Sequence, residues 1–291
     1  MHINMKYYIV SIGAIFIALG IGMLVGFNLN YDQELSKQQA NIISDLDNKF
    51  EDLKTTNDNL EKSLSTLTAD YDKAVELINK NKDKIIADTL SEKNIGIIST
   101  NENNDYSTEI SDIITKANGS VAFNIVLNNN VENKEKLQEV STKLNLELKS
   151  SKDLVKYISE CLASQEGLSK LQELQSLEVI KVNSISDEFS NCESVILAGG
   201  NESKVDDKKF KEVDGILIAS LKEQNKSLVG VQQTNAKFSY VDMYSKNKVA
   251  NIDNVDEGIG QVSLVILLND KGITGNFGRL ETASTLFPEK K

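Results

Sequence analysis

Between Ser36 and Asp88 the apolar residues recur at alternating intervals of three and four, which sums to a seven-residue repeat. One set of positions carries Ile43, Phe50, Asn57, Leu64, Tyr71, Ile78 and Ile85; the other carries Leu46, Leu53, Leu60, Leu67 and Ala74. Asn57 alone interrupts the apolar run from Ile43 to Ala74. Gly and Pro are absent from the stretch, and Asn, Asp, Lys and Glu fill most other positions. A sustained period of 3.5 predicts a left-handed coiled coil, about 65 Å long at the usual helical rise. No second apolar face is left for a globular fold to bury, so the helix calls for a partner helix. A single core amide is satisfied by its counterpart in a parallel pair, and Asn57 therefore predicts a parallel homodimer. The competing arrangement folds the helix back onto its own globular domain.

Upstream, no charged residue occurs from Tyr7 to Tyr31, and Tyr7 to Phe27 is almost wholly apolar. That is long enough to cross a bilayer once as a helix. A cleaved signal peptide has a shorter apolar core followed by an Ala-x-Ala site, which is not found here, so the segment predicts a retained anchor. Lys6 lies on one side of it, Asp32 and Glu34 on the other. The positive-inside tendency then puts the amino terminus in the cytoplasm and the bulk of the chain outside the plasma membrane. Ala14, Ala18, Gly22 and Gly26 share one helix ridge, which favours close approach of a second span. Tyr7, Tyr8 and Tyr31 stand where interfacial aromatics sit.

At Lys93 the pattern changes. Short apolar runs at Asn94 to Ser99, Val121 to Leu127, Val179 to Val182, Val195 to Ala198 and Leu228 to Val231 predict strands. Amphipathic stretches at Tyr106 to Ala117, Lys134 to Lys143, Lys152 to Ala163, Leu168 to Leu177, Phe210 to Glu223 and Gln261 to Leu268 predict helices. Strands and helices in alternation imply a mainly parallel open sheet of four to six strands, covered on both faces. The predicted fold class is thus α/β: a transmembrane helix over 1–30, a long parallel dimeric coiled coil over 31–92, and an α/β domain over 93–291.

Ligands of open parallel sheets bind beyond the carboxyl ends of the strands. Those ends carry Ser99, Thr100 and Asn101, then Gly199, Gly200 and Asn201, then Gln232 and Thr234. Such small neutral groups suit an anion or a sugar-like ligand held by backbone amides, or simply turns; no GxGxxG, GxxxxGK[ST] or GxSxG motif accompanies them.

Composition narrows the function. The net charge over 291 residues is −11, and without a visible basic patch this argues against nucleic acid and against docking on anionic lipid. The single histidine is His2, so no Ser-His or Cys-His pair and no histidine zinc site can form outside the membrane. The chain reads as a non-enzyme. Asp253 and Asp256 could supply an acid and a base or hold a hard cation, although a surface or helix-capping role is the simpler reading. Beyond the membrane region, sulfur is confined to Cys161, Cys192 and Met243, weak candidates for a soft metal. The two cysteines are compatible with a disulfide or with two thiols.

The segment Met5-Lys-Tyr-Tyr-Ile-Val-Ser-Ile-Gly-Ala-Ile-Phe-Ile-Ala-Leu-Gly-Ile-Gly-Met-Leu-Val-Gly26 resembles the opening of the MctB family of envelope proteins, known as copper transporters. Val249-Ala-Asn-Ile-Asp-Asn-Val-Asp256, with Gly260 to Leu268 and Gly275-Asn-Phe-Gly278, is similar to that family's closing motif. Anchor, coil and α/β domain follow in the family's order. The resemblance implies a membrane-anchored envelope protein linked to copper transport or homeostasis; related members look like components of cell-separation complexes. Copper is thereby implied as a cargo or ligand, with no cofactor otherwise, and an envelope or membrane protein as a partner. It transfers no metal ligands, because the matching positions are acidic, amide or glycine residues. Two readings follow: a dimeric scaffold or partner-binding module, and a copper-handling protein using sulfur ligands.

Overall fold

The computed structural model describes residues 5–200 and 208–289, and for residues 29–34 the backbone alone. His2, Asn201 and the last two residues lie outside the described set, as do the side chains of Tyr31, Asp32 and Glu34. The chain divides into two compact units, Met1–Asp72 and Lys73–Lys291. Helix α1, Met5–Ile86, belongs to both.

In the first unit, Met5–Asn28 is long and apolar enough to cross a membrane. Ala14, Ala18, Gly22 and Gly26 are exposed along it, and a Cβ at Gly22 or Gly26 would meet nothing within 4 Å. Further on, Ile43, Leu46, Phe50, Leu53, Leu60, Leu64 and Leu67 are all exposed in the single chain, Phe50 at 74%. Asn57 Nδ2 donates to Glu61 Oε1 of the next turn at 3.1 Å.

In the second unit the end of α1 docks on the domain. Val75, Ile78, Asn81 and Lys82 are half-buried and Ile86 is buried, whereas Ala74 and Ile85 are exposed. This docked face shares Ile78 and Asn81 with the heptad stripe but leaves Ala74 and Ile85 outside it, centring on Val75, Lys82 and Ile86. Asn79 Oδ1 accepts from Gly258 N at 2.8 Å.

After α1 come β1 (Asn94–Ser99), α2 (Ser107–Lys116), β2 (Ser120–Leu127), α3 (Lys134–Lys143), α4 (Ser151–Leu162), α5 (Leu168–Ser176) and β3 (Ile180–Ile185). The second half is β4 (Ser194–Ala198), α6 (Gly215–Glu223), β5 (Ser227–Val231), α7 (Val241–Lys246), β6 (Ala250–Ile252), α8 (Gly258–Asn269) and β7 (Asn276–Phe277). Among the described residues seven strands form one sheet in the order β3-β2-β1-β4-β5-β6-β7, more than the four to six expected, because β6 and β7 have only three and two residues and too few positions to show a period. Every pairing is parallel except β3 against β2. β3 extends past the expected Val182 and alternates between covered and wet positions, as suits an antiparallel edge strand. The helix expected from Phe210 begins as a π-turn, Phe210–Asp214.

Central strands β1 and β4 are buried on both faces, and successive residues feed separate cores. Ile98 and Leu197 join Leu154, Ile158, Leu171, Leu217 and Tyr244 beneath α4 to α7. Ile97 and Ile196 join Ile110, Ile114, Leu264 and Leu268 beneath α2 and α8, with Ile86 of α1. Three layers result, helices on both sides of the sheet. Phe123 lies flat across Gly96, where a Cβ would come within 2.3 Å of its Cζ, so glycine is what lets this ring fill the first core.

Candidate functional site

The strand order reverses between β1 and β4: the chain leaves β1 toward β2 and β3 on one side and β4 toward β5, β6 and β7 on the other. Such a switch point is where open α/β sheets place their ligand crevice. The expected residues Ser99, Thr100, Gly199 and Gly200 gather there with Asn101, and Gln232 follows at the end of β5.

These groups are bonded to one another and to residues the sequence did not flag. Asn101 Nδ2 donates to Gly200 O at 3.0 Å. Thr100 Oγ1 donates to Asp214 Oδ1 at 2.9 Å, and Tyr244 OH reaches the same oxygen at 3.3 Å. Tyr106 OH, on the residue preceding α2, lies 2.8 Å from Gly199 O and 2.9 Å from Val231 O, a donor shared by two strand ends. Gln232 Oε1 accepts from Ser239 Oγ at 3.0 Å and Tyr240 N at 3.1 Å. A Cβ at Gly199 would fall 2.0 Å from Tyr244 OH, and one at Gly230 2.5 Å from the same ring. Close passage of Tyr244 over β4 and β5 thus accounts for both glycines, while Gly200 has φ of +89°, a conformation that favours glycine.

Asp214 ends the π-turn and is fully buried. Burial raises its carboxyl from 3.8 to about 6, against the opposing pull of the Thr100 hydrogen bond and the Lys209 charge. The Tyr106 and Tyr244 phenols are pushed well above their ordinary value, first by burial and then by Asp214, so both remain protonated donors. Asp214 Oδ2 and Ser99 Oγ are buried with no hydrogen-bond partner among the described residues. The space left beside Asn101, Tyr106, Gly199 and Gly200 is about 10 Å³, near the minimum for one water. The crevice is filled by the protein's own tyrosines beside one acid whose carboxyl is raised to about 6. The sequence signal for Asp214 was a single acid ahead of the apolar run Ile216 to Ala219.

The other candidates fall elsewhere. Asp253 is buried, not at the surface as expected, because its two oxygens accept from Arg279 N and Leu280 N, each at 2.8 Å. Asp256 is exposed and accepts from Thr234 N at 2.8 Å and Thr234 Oγ1 at 2.6 Å. This acidic pair clamps the C-terminal segment and the loop after β5. Cys161 and Cys192 are free, buried thiols in the first core, with Met243 packed against the same cluster. Burial raises the Cys161 thiol, partly opposed by a hydrogen bond from Tyr157. Burial likewise raises Cys192, partly opposed by the Lys226 charge. Both shifts disfavour the thiolate that a soft metal takes. Among the described residues no group of three or more His, Cys, Asp and Glu is placed to hold a metal ion.

A family model described as copper transport outer membrane protein, MctB, matches residues 2–288. No curated protein matches the chain. With nearly the whole length covered, the chain belongs to the MctB family.

Proposed function

Taking that membership as the premise, we propose that the protein is a membrane-anchored, non-enzymatic envelope component related to copper transport. Met5–Asn28 holds it in the membrane with the amino terminus cytoplasmic, and the heptad seam pairs it with a second copy. The α/β domain is then the part that meets an envelope protein partner or a small ligand. The observation that carries this reading is the seam itself: seven large apolar side chains from Ile43 to Leu67 exposed at heptad spacing. Each such side chain gains about 1.5–3 kcal/mol when fully buried, and a parallel partner buries them all while meeting Asn57 with Asn57.

Light scattering on the full chain in zwitterionic nanodiscs or mild detergent, together with cross-linking in the membrane, tests the pairing. The wild type is expected to be a dimer, and Leu53→Asp with Leu60→Asp to shift it to monomer. A wild type that stays monomeric at micromolar concentration defeats the pairing.

The family match favours a second reading, in which the protein binds copper itself. It requires a change that frees Cys161 or Cys192 from the core. Cu(I) competition titration separates the two: stoichiometric binding abolished by Cys161→Ser with Cys192→Ser supports copper handling, and binding indifferent to that pair rules out cysteine ligands.

A further inference from the structure

Four lysines from three stretches of the sequence line the end of the sheet opposite the switch point. Lys222 from the last turn of α6, Lys226 just before β5, Lys248 before β6 and Lys271 after α8 surround a depression of about 190 Å³. In a chain of net charge −11, this is a local inversion of sign, and it overturns the expectation that the molecule has no basic patch. Lys222 Nζ donates to the carbonyls of Asn247 and Lys248, and Lys226 Nζ to those of Ser190 and Cys192. Carbonyls orient an ammonium without cancelling its charge. The Lys248 side chain bonds to nothing among the described residues, and Lys271 pairs with Glu193. Glu193 reports the local field: its carboxyl is held below the ordinary value by Lys271 first, with Lys93 and Lys226 adding to the effect. Ser227 and Thr274 also line the depression, and their hydroxyls make no hydrogen bond among the described residues.

We propose that this depression binds a phosphate group. Converging ammonium groups and free hydroxyls offer charge-assisted hydrogen bonds to a compact multivalent anion, for which lysine acts as a point charge. The volume lies below the roughly 300–1,000 Å³ of pockets that enclose whole small molecules, which suits one anionic group. Free inorganic phosphate and the phosphodiester of a lipid headgroup share this chemistry.

Calorimetric titration of the full chain in phosphatidylcholine nanodiscs, in phosphate-free buffer of low ionic strength, uses inorganic phosphate and soluble glycerophosphoglycerol as probes. Binding is expected to weaken about tenfold in Lys248→Gln, the loss of one charge-assisted contact, and to strengthen roughly two- to fivefold in Glu193→Gln. Both residues are exposed, and an unchanged unfolding midpoint checks that each variant is folded. Saturable binding of inorganic phosphate with these responses assigns the free anion. Saturable binding of glycerophosphoglycerol alone, with the same responses, assigns the headgroup. Silence toward both probes, or binding indifferent to both substitutions, overturns the proposal.

Discussion

From Ile43 to Leu67 the large apolar side chains stand exposed at heptad spacing, whereas from Lys73 onward they close into two cores, one on each face of a single sheet. Both regions are rich in Leu and Ile; what differs is the geometry in which those residues are offered. A period of 3.5 along one helix gives a narrow stripe that is exposed in the single chain, and strands buried on both faces hand alternate residues to separate layers. The first region leaves its apolar stripe uncovered among the described residues, and the second covers its own.

The sharpest way to break this contrast is a cavity in the self-sufficient region. Phe123 is buried across Gly96, and Phe123→Ala is expected to lower the stability of the sheet domain by about 3–5 kcal/mol. Calorimetry should show the domain transition moving down while cross-linking through the heptad seam persists; loss of cross-linking would mean that the regions are not independent.

A somewhat smaller effect comes from the switch point. The Asp214 carboxyl titrates near 6 in the folded state against an ordinary 3.8, so the folded domain holds a proton that the unfolded chain releases. Its contribution is complete below about pH 4 and is lost as the pH rises through 6, a decline of about 3 kcal/mol. Urea unfolding at pH 4, 5, 6 and 7 should show that slope, and Asp214→Asn should flatten it. A wild type with no slope would place the carboxylate in contact with water.

The least effect is expected at the junction. Lys80 and Glu76 pair across one turn of α1 with side chains 70% and 63% exposed, and Glu76→Gln should cost no more than about 0.5 kcal/mol. A larger loss in thermal unfolding would reveal that this turn is clasped by a partner.

Most of the fold was legible because its elements are long enough to repeat. Strand β1 and helix α3 fall at their expected residues, and Ser99, Thr100, Gly199, Gly200 and Gln232 lie at the ends of β1, β4 and β5, with Asn201 outside the described residues. What escaped notice was either short or assembled from far apart. Helix α7 has six residues and β6 three, and each depends on tertiary contacts that no local period records. Tyr106 and Tyr244 reach the switch point from two different segments, and nothing in either neighbourhood announces that one ties the ends of β4 and β5 and the other bonds Asp214. The basic depression is the extreme case, since Lys222, Lys226, Lys248 and Lys271 look like ordinary solvated charges until the sheet brings their strand ends together.

The hydrogen bond from Gly258 N to Asn79 Oδ1 joins residues 179 positions apart. This amide begins α8, where the first N–H groups have no acceptor within their own helix. Its exchange with deuterium therefore reports one event, the lifting of the last turns of α1 from the domain. Measured in the intact membrane protein, that single amide's protection would give the free energy of lifting the helix, without a label or a probe attached to either part.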